Sequence, residues 1–167
     1  MWSKHTFVLV GLSLAFAGSA HAQSTLADRI QAGDRKAALE MIAAGANVNQ
    51  AQPDGSTPLQ WAVYNGDVAE AKRLLRAGAN VSLANKYGAS PMTLAAEVGN
   101  AEMLKVLLEA GANADSPNPD GQTALLAVAR TGNVEAAQIL LQQGATVDAK
   151  EKWGGQTALM WASARRH

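Results

Sequence analysis

Cysteine is absent from the 167 residues, which excludes disulfides, thiol nucleophiles, CxxC redox chemistry and every zinc site that needs a thiolate. A surplus of basic charge is missing too. Lys and Arg number 14 and Asp and Glu 14, so the formal net charge is zero. A surface that tracks phosphates carries a marked excess of Lys and Arg, so the balance argues against nucleic acid as a partner. Histidine is confined to His5, His21 and His167, little material for imidazole catalysis or metal binding. No GxxxxGK phosphate loop, HExxH helix, GxSxG elbow or EF-hand loop occurs. Asp and Glu are scattered, and Asp28 and Asp34 read as helix-start charges and a cap. What is present is 48% hydrophobic and 17% charged residues, with 15 Gly and only 5 Pro, the balance of a folded chain.

Residues 1–22, MWSKHTFVLVGLSLAFAGSAHA, have the layout of an export signal. Lys4 supplies the charged start, Phe7 to Ala17 carry no charge, and Ala20-His21-Ala22 is a small-x-small cleavage site ahead of Gln23. Retention as a membrane anchor is the alternative, but the apolar run is shorter than the roughly 20 residues that span a bilayer. No Cys follows it to carry a lipid, and no Arg pair marks the twin-arginine route. The expectation is an exported protein, periplasmic or secreted and of bacterial type, with no stable membrane insertion after cleavage. Removal of the leader takes away His5, His21 and Lys4, so the mature net charge becomes −1.

The rest of the chain is periodic. Gly55-Ser-Thr-Pro-Leu59, Gly88-Ala-Ser-Pro-Met92, Gly121-Gln-Thr-Ala-Leu125 and Gly155-Gln-Thr-Ala-Leu159 align, with their leading glycines 33, 33 and 34 residues apart. Leu74-Leu75, Leu107-Leu108 and Leu140-Leu141 keep the same step, as do Gly66, Gly99 and Gly132. Gly78, Gly111 and Gly144 each follow the last set by twelve residues. Thr57, Ser90, Thr123 and Thr157 are placed to cap a first helix, with Pro58 and Pro91 at its first position. Thr57 and Gln60 have capping-box spacing. Asp67, Asn100 and Asn133 are placed to cap a second helix, whose apolar residues Met103, Val106, Leu107 and Ala110 fall on one face. Small residues at Ala62, Ala95, Ala96, Ala127, Ala129 and Ala162 let neighbouring units approach closely.

The motifs TPLQWA, SPMTLA, TALLAV and TALMWA, with the recurrent GAN at Gly45, Gly78 and Gly111, resemble the ankyrin repeat family. That resemblance implies an all-α repeat solenoid of helix-turn-helix units joined by β-hairpin-like loops. It divides the mature chain into a degenerate N-terminal capping repeat at 23–52, repeats at 53–85, 86–118 and 119–152, and an incomplete fourth at 153–167. In the capping repeat Gly33 and Gly45 keep the twelve-residue interval, Met41-Ile42 take the paired-leucine position, and Arg29 replaces a buried alanine. At the other end Arg166 stands where earlier units have glycine. The chain reads there as a fragment of a longer protein or as a half-unit lid; Leu159, Met160 and Trp161 look like core, which favours the fragment. Gln60, Thr93, Leu126 and Met160 replace the family's frequent histidine, so a His-mediated tie between units is not expected.

The resemblance also implies a non-catalytic protein-binding scaffold, without cofactor or metal. Its expected binding surface is the hairpin tips and the concave, exposed side of the first helices. By position this gives Pro53, Asp54, Ser56 and Tyr64, then Lys86, Tyr87, Ala89 and Glu97, then Pro119, Asp120, Gln122 and Arg130, and finally Trp153 and Gln156. Tyr64, Tyr87 and Trp153 would be aromatic anchors; Tyr87 and Trp153 read equally well as turn-packing residues. Trp61 and Trp161 read as core, and the Asn80-Val81-Ser82 sequon as part of a structural loop. A monomeric array with a protein partner is expected. The alternatives are the recognition arm of a larger exported enzyme extending past His167, and a binder of small molecules or glycans.

Overall fold

A computed structural model describes residues 24–166; the predicted leader with His5 and His21, and the terminal His167, lie outside the described residues. Nine helices are described: α1 (Leu26–Gln31), α2 (Arg35–Ala43), α3 (Pro58–Tyr64), α4 (Val68–Arg76), α5 (Pro91–Val98), α6 (Ala101–Glu109), α7 (Ala124–Thr131), α8 (Val134–Gln142) and α9 (Ala158–Arg165). Their starts follow from local chemistry. Thr57 accepts the Gln60 amide on its hydroxyl, and Gln60 returns its carboxamide oxygen to the Thr57 amide at 2.7 Å. Ser90 with Thr93 and Thr25 with Asp28 form the same reciprocal pair. Asp67, Asn100 and Asn133 each accept one amide at the start of α4, α6 and α8. Thr123 departs from the pattern: its buried hydroxyl makes no hydrogen bond, and Leu126 has no polar atom with which to complete a box.

The helices stack in two layers. α1, α3, α5, α7 and α9 touch in sequence, α4, α6 and α8 do likewise, and α2, α4, α6 and α8 each pack on the first helix of their own pair. Leu59, Leu74, Met92, Met103, Leu104, Leu107, Val128 and Leu140 are fully buried between the layers. Ala62, Ala95, Ala96 and Ala127 are buried where first helices meet. Gly99, at φ 69°, ends α5 in the left-handed region, a conformation a side chain would strain.

The loops overturn part of the sequence reading. No β-strand occurs among the described residues, so the units are not joined by β-hairpin-like loops, and there are no hairpin tips for a partner to bind. A hairpin needs a ladder of alternating backbone pairs. Here each turn is closed on its outer span by one bond, as from the Asn85 amide to the Ala89 carbonyl or the Asn118 amide to the Gln122 carbonyl, and inside it the Gly88 or Gly121 amide donates to the carbonyl of the same asparagine. Two of the three junctions between successive turns are made by a single backbone amide, Lys86 to Asp54 and Lys152 to Asp120, each at 2.9 Å, and at the middle one Pro119 has no N–H to donate. A single pair at a junction does not make a strand.

Two further expectations change. Leu159 and Met160 are exposed rather than core, because no described element covers the outer side of α9. A tie between units exists without histidine: the Gln60 carboxamide reaches the Leu83 and Ala89 carbonyls of the following loop. Trp61 and Trp161 are half-buried against the core.

Candidate protein-binding surface

Position in the repeat decides what the turns expose. Gln52, Asn85, Asn118 and Glu151 stand 33 residues apart, and each opens a turn. Asn85 accepts the amides of Tyr87 and Ala89 on its side-chain oxygen, both at 3.0 Å. Asn118 accepts those of Asp120 and Gln122. In the first turn Asp54 does this work, accepting both the amide and the hydroxyl of Ser56. Those two bonds hold the Asp54 carboxyl below its ordinary range, the amide most, with a smaller pull from Lys86.

The fourth turn is longer by one residue, Gly154, and its acceptor is a glutamate. Glu151 takes the amides of Gly154 and Gln156 on one oxygen, at 2.8 and 2.9 Å, and that of Trp153 on the other at 2.6 Å. The extra methylene of Glu over Asn lets one side chain span the wider turn. The Gln156 amide is the largest cause that keeps this carboxyl depressed; burial opposes it, and the Trp153 and Gly154 amides add to it.

With the turns pinned, their tips present a row at one register: Asp54, Tyr87, Asp120 and Trp153. Among the described residues Trp153 and Tyr87 are the two most exposed large hydrophobic side chains. The Trp153 indole donates to the Asp120 carboxylate at 3.1 Å, so that pair is fixed across neighbouring turns. A second row runs along the first helices, with Tyr64 on α3, Glu97 on α5 and Arg130 on α7 each 33 residues from the next. Tyr64 and Glu97 are exposed and Arg130 half-buried. Tyr64 stands edge-on to Trp61 with ring centroids 5.7 Å apart.

The structure brings Asp54, Ser56 and Tyr64 together. They line one cavity of about 300 Å³ with Gln60, Trp61, Asn85 and Leu94, between the α3–α4 and α5–α6 pairs. Ser56 is buried and turned toward Asp54, and Gln122 is half-buried in its turn. Lys86 and Asp120 lie exposed on the turns. Sequence reasoning passed over Gln52 and Glu151. Gln52 accepts the Trp61 indole N–H at 2.6 Å and donates to Asp28, whose carboxyl it holds low as the largest of several hydrogen-bond causes. The signal available for both was the recurrence of a polar acceptor at 52, 85, 118 and 151. Asn80 accepts the Ser82 amide, so it shapes its own loop.

Among the described residues no group of three His, Asp or Glu side chains is placed to hold a metal ion. No described helix is long and apolar enough to cross a membrane. Compared with family models, the chain matches the one described as ankyrin repeats, in three copies, over residues 26–118 and 110–167. A search of curated proteins returned no match.

Proposed function

The chain belongs to the ankyrin repeat family; from that membership we propose that it is a monomeric protein-interaction module that binds a partner across the turns and the exposed side of the first helices, and from the layout of residues 1–22 that it is exported. The stack is a non-catalytic scaffold. The observation that supports the binding surface best is the exposure of three large aromatic side chains, Tyr64, Tyr87 and Trp153, beside the carboxylates of Asp54 and Asp120. Exposed aromatics cost apolar surface in water and are enriched where interfaces concentrate their energy. Glu97, Arg130 and Lys86 supply charge around them, and Ser56 and Gln122 hold the turns. The units proposed are those at 23–52, 53–85, 86–118, 119–152 and 153–167, following a leader at 1–22.

Export to a periplasm or beyond rests on the leader alone, with its Lys4 start, uncharged run and Ala20-His21-Ala22 site. Amino-terminal sequencing of the protein recovered from fractionated producing cells tests it: a mature start at Gln23 supports export with cleavage, and an intact Met1 on protein found in the cytoplasm sinks it. The surface is tested by affinity capture with the parent chain and with Tyr64, Tyr87 and Trp153 all changed to Ala. Loss of the captured partner in the triple variant, at unchanged melting temperature, is the expected result. Equal recovery by both would place the interface elsewhere.

A further inference from the structure

Two aromatic side chains and one carboxylate converge at one place in the stack. Trp61 and Tyr64 stand three residues apart on α3 and so share a face of it, with their ring planes at 85°. They line the cavity of about 300 Å³ between the α3–α4 and α5–α6 pairs, together with Asp54 on the turn before α3 and Leu94 on α5. One and two repeats on, Trp61 and Tyr64 are replaced by Leu94 and Glu97, then by Ala127 and Arg130. Asp54 is replaced by Tyr87 and then Asp120, so neither later junction repeats the combination. The two pairs that enclose the cavity have α1–α2 on one side and α7–α8 on the other, so it is not an opening left by an end of the stack.

Charge in this cavity is of one sign, since Asp54 is its one ionisable acid and no Lys or Arg lines it. Each Asp54 side-chain oxygen accepts one bond from Ser56, at 2.9 and 2.8 Å, which leaves an unused lone pair on both. The same bonds hold the carboxyl below its ordinary range, so it is charged at neutral pH. Among the described residues it makes no ion pair. The neighbouring polar groups are already engaged: the Gln60 carboxamide with Thr57, Leu83 and Ala89, and the Asn85 side-chain oxygen with the Tyr87 and Ala89 amides. The Trp61 N–H donates to Gln52 at 2.6 Å, and Gln52 donates in turn to Asp28 and Gln31. That chain of bonds fixes the indole ring before anything binds, so no ordering of the ring opposes binding. An anchored aromatic face beside an unpaired carboxylate selects for a cation.

We propose that this cavity takes the guanidinium of an arginine side chain presented by the partner protein, stacked on the aromatic rings and donating to the Asp54 carboxylate. Arginine fits better than lysine for two reasons. Its planar group stacks on an aromatic face, and its fork of N–H donors matches the two spare lone pairs of a carboxylate. Lysine brings a compact, strongly hydrated charge that gives up more water on entering a cavity walled by Trp61, Tyr64 and Leu94. Leu94 provides the apolar wall against which the methylene stem of the arginine lies.

The inference rests on the array being a protein-interaction module and names the chemistry that one part of its surface recognises. Its probe is N-acetyl-arginine amide, titrated into the purified chain and followed by NMR at the Trp61 indole N–H, a signal identified by its loss in Trp61→Phe. A saturable shift of that signal is expected. N-acetyl-citrulline amide has nearly the same shape without the charge and is expected to bind about tenfold more weakly or worse. N-acetyl-lysine amide is expected to bind more weakly than the arginine compound. Asp54→Asn should weaken arginine binding by about tenfold. Tyr64→Leu, at an exposed position, should weaken it by about two- to fivefold with the melting temperature unchanged. The ligand series uses the parent chain alone, so it decides the matter even where a variant folds poorly. Absence of a saturable shift, equal affinity for the citrulline compound, or tighter binding of the lysine compound overturns the proposal. In the capture experiment, full recovery of the partner by Asp54→Asn together with its loss in the triple variant also overturns it, while leaving the wider surface in place. A saturable arginine shift with equal recovery by parent and triple variant upholds the guanidinium site and sinks the wider surface.

Discussion

The side-chain nitrogen of Gln60 lies 2.5 Å from the carbonyl oxygen of Ala89 and 3.2 Å from that of Leu83, while its side-chain oxygen accepts the Thr57 amide at 2.7 Å. One buried carboxamide thus closes the cap of α3 and fastens that helix to the next turn. Glutamine can do this because it carries two donors and an acceptor on one short, planar group.

Gln60→Leu keeps the volume and removes all three bonds, leaving the Thr57 amide and the Leu83 carbonyl short of partners, while the Ala89 carbonyl keeps the Asn85 amide. Orphaned buried polar groups cost about 1–3 kcal/mol. The expected outcome is a lower urea midpoint with an unchanged slope; an unchanged midpoint would show that the tie contributes nothing.

Two glycines separate backbone strain from crowding. Gly78 and Gly88 have φ of 90° and 77°, so alanine at either position is strained by about 1–2 kcal/mol. A Cβ at Gly78 meets nothing within 4 Å, whereas at Gly88 it falls 2.2 Å from Cγ of Pro119 and 2.4 Å from its Cδ. Gly88→Ala should therefore destabilise more than Gly78→Ala, by about 1–3 kcal/mol for the overpacked contact. Thermal unfolding of the two variants side by side measures it, and equal losses would mean that the turns do not pack as described.

Features set by a residue's immediate neighbours were legible in the sequence. Thr57 and Ser90 cap because a hydroxyl three residues ahead of a free amide reaches it, and the left-handed glycines at 66, 99 and 132 recur because only glycine adopts that conformation without cost. Leu74, Leu107 and Leu140 announced the core by period alone. What depends on a neighbouring unit was not legible. Leu159 has the same local sequence as Leu125, yet one is exposed and the other buried, since burial there is decided by the helix that follows. The turns were misread as hairpins because glycine spacing fixes where a chain reverses but not whether its backbone forms a ladder. The binding rows were partly legible. Register placed Tyr64, Glu97 and Arg130 in line, but nothing local to Ser56 foretold that Asp54 would draw its hydroxyl inward.

Leu107 reports on the core. It is fully buried on α6, in a stack where each unit is held only by its neighbours. Leu107→Ala should cost about 2–5 kcal/mol, a large share of the ~5–15 kcal/mol that a domain of this size commands. Chemical denaturation is the measurement, and a loss below about 0.5 kcal/mol, the usual value for a surface site, would contradict its placement.

Acid should loosen the fourth turn through Glu151. Its carboxylate accepts three backbone amides, and they hold its pKa below the ordinary glutamate value of 4.5 against the opposing effect of burial. A carboxyl whose pKa is lower in the folded than in the unfolded chain adds stability above the unfolded pKa. That contribution is lost as the pH falls through the folded pKa. Asp28 and Asp54 are depressed in the same direction, so the whole protein should lose stability on the acid side, and Glu151→Gln isolates one share of that loss. The variant keeps one acceptor oxygen but turns an NH₂ donor toward amides that are themselves donors. It should be less stable than the parent at neutral pH, and the gap should narrow as both are brought below the unfolded pKa, where the parent also becomes neutral. Urea midpoints of parent and variant across that range are the measurement. A gap that stays constant with pH would mean that the charge of Glu151 contributes nothing and that only the shape of the side chain holds the turn.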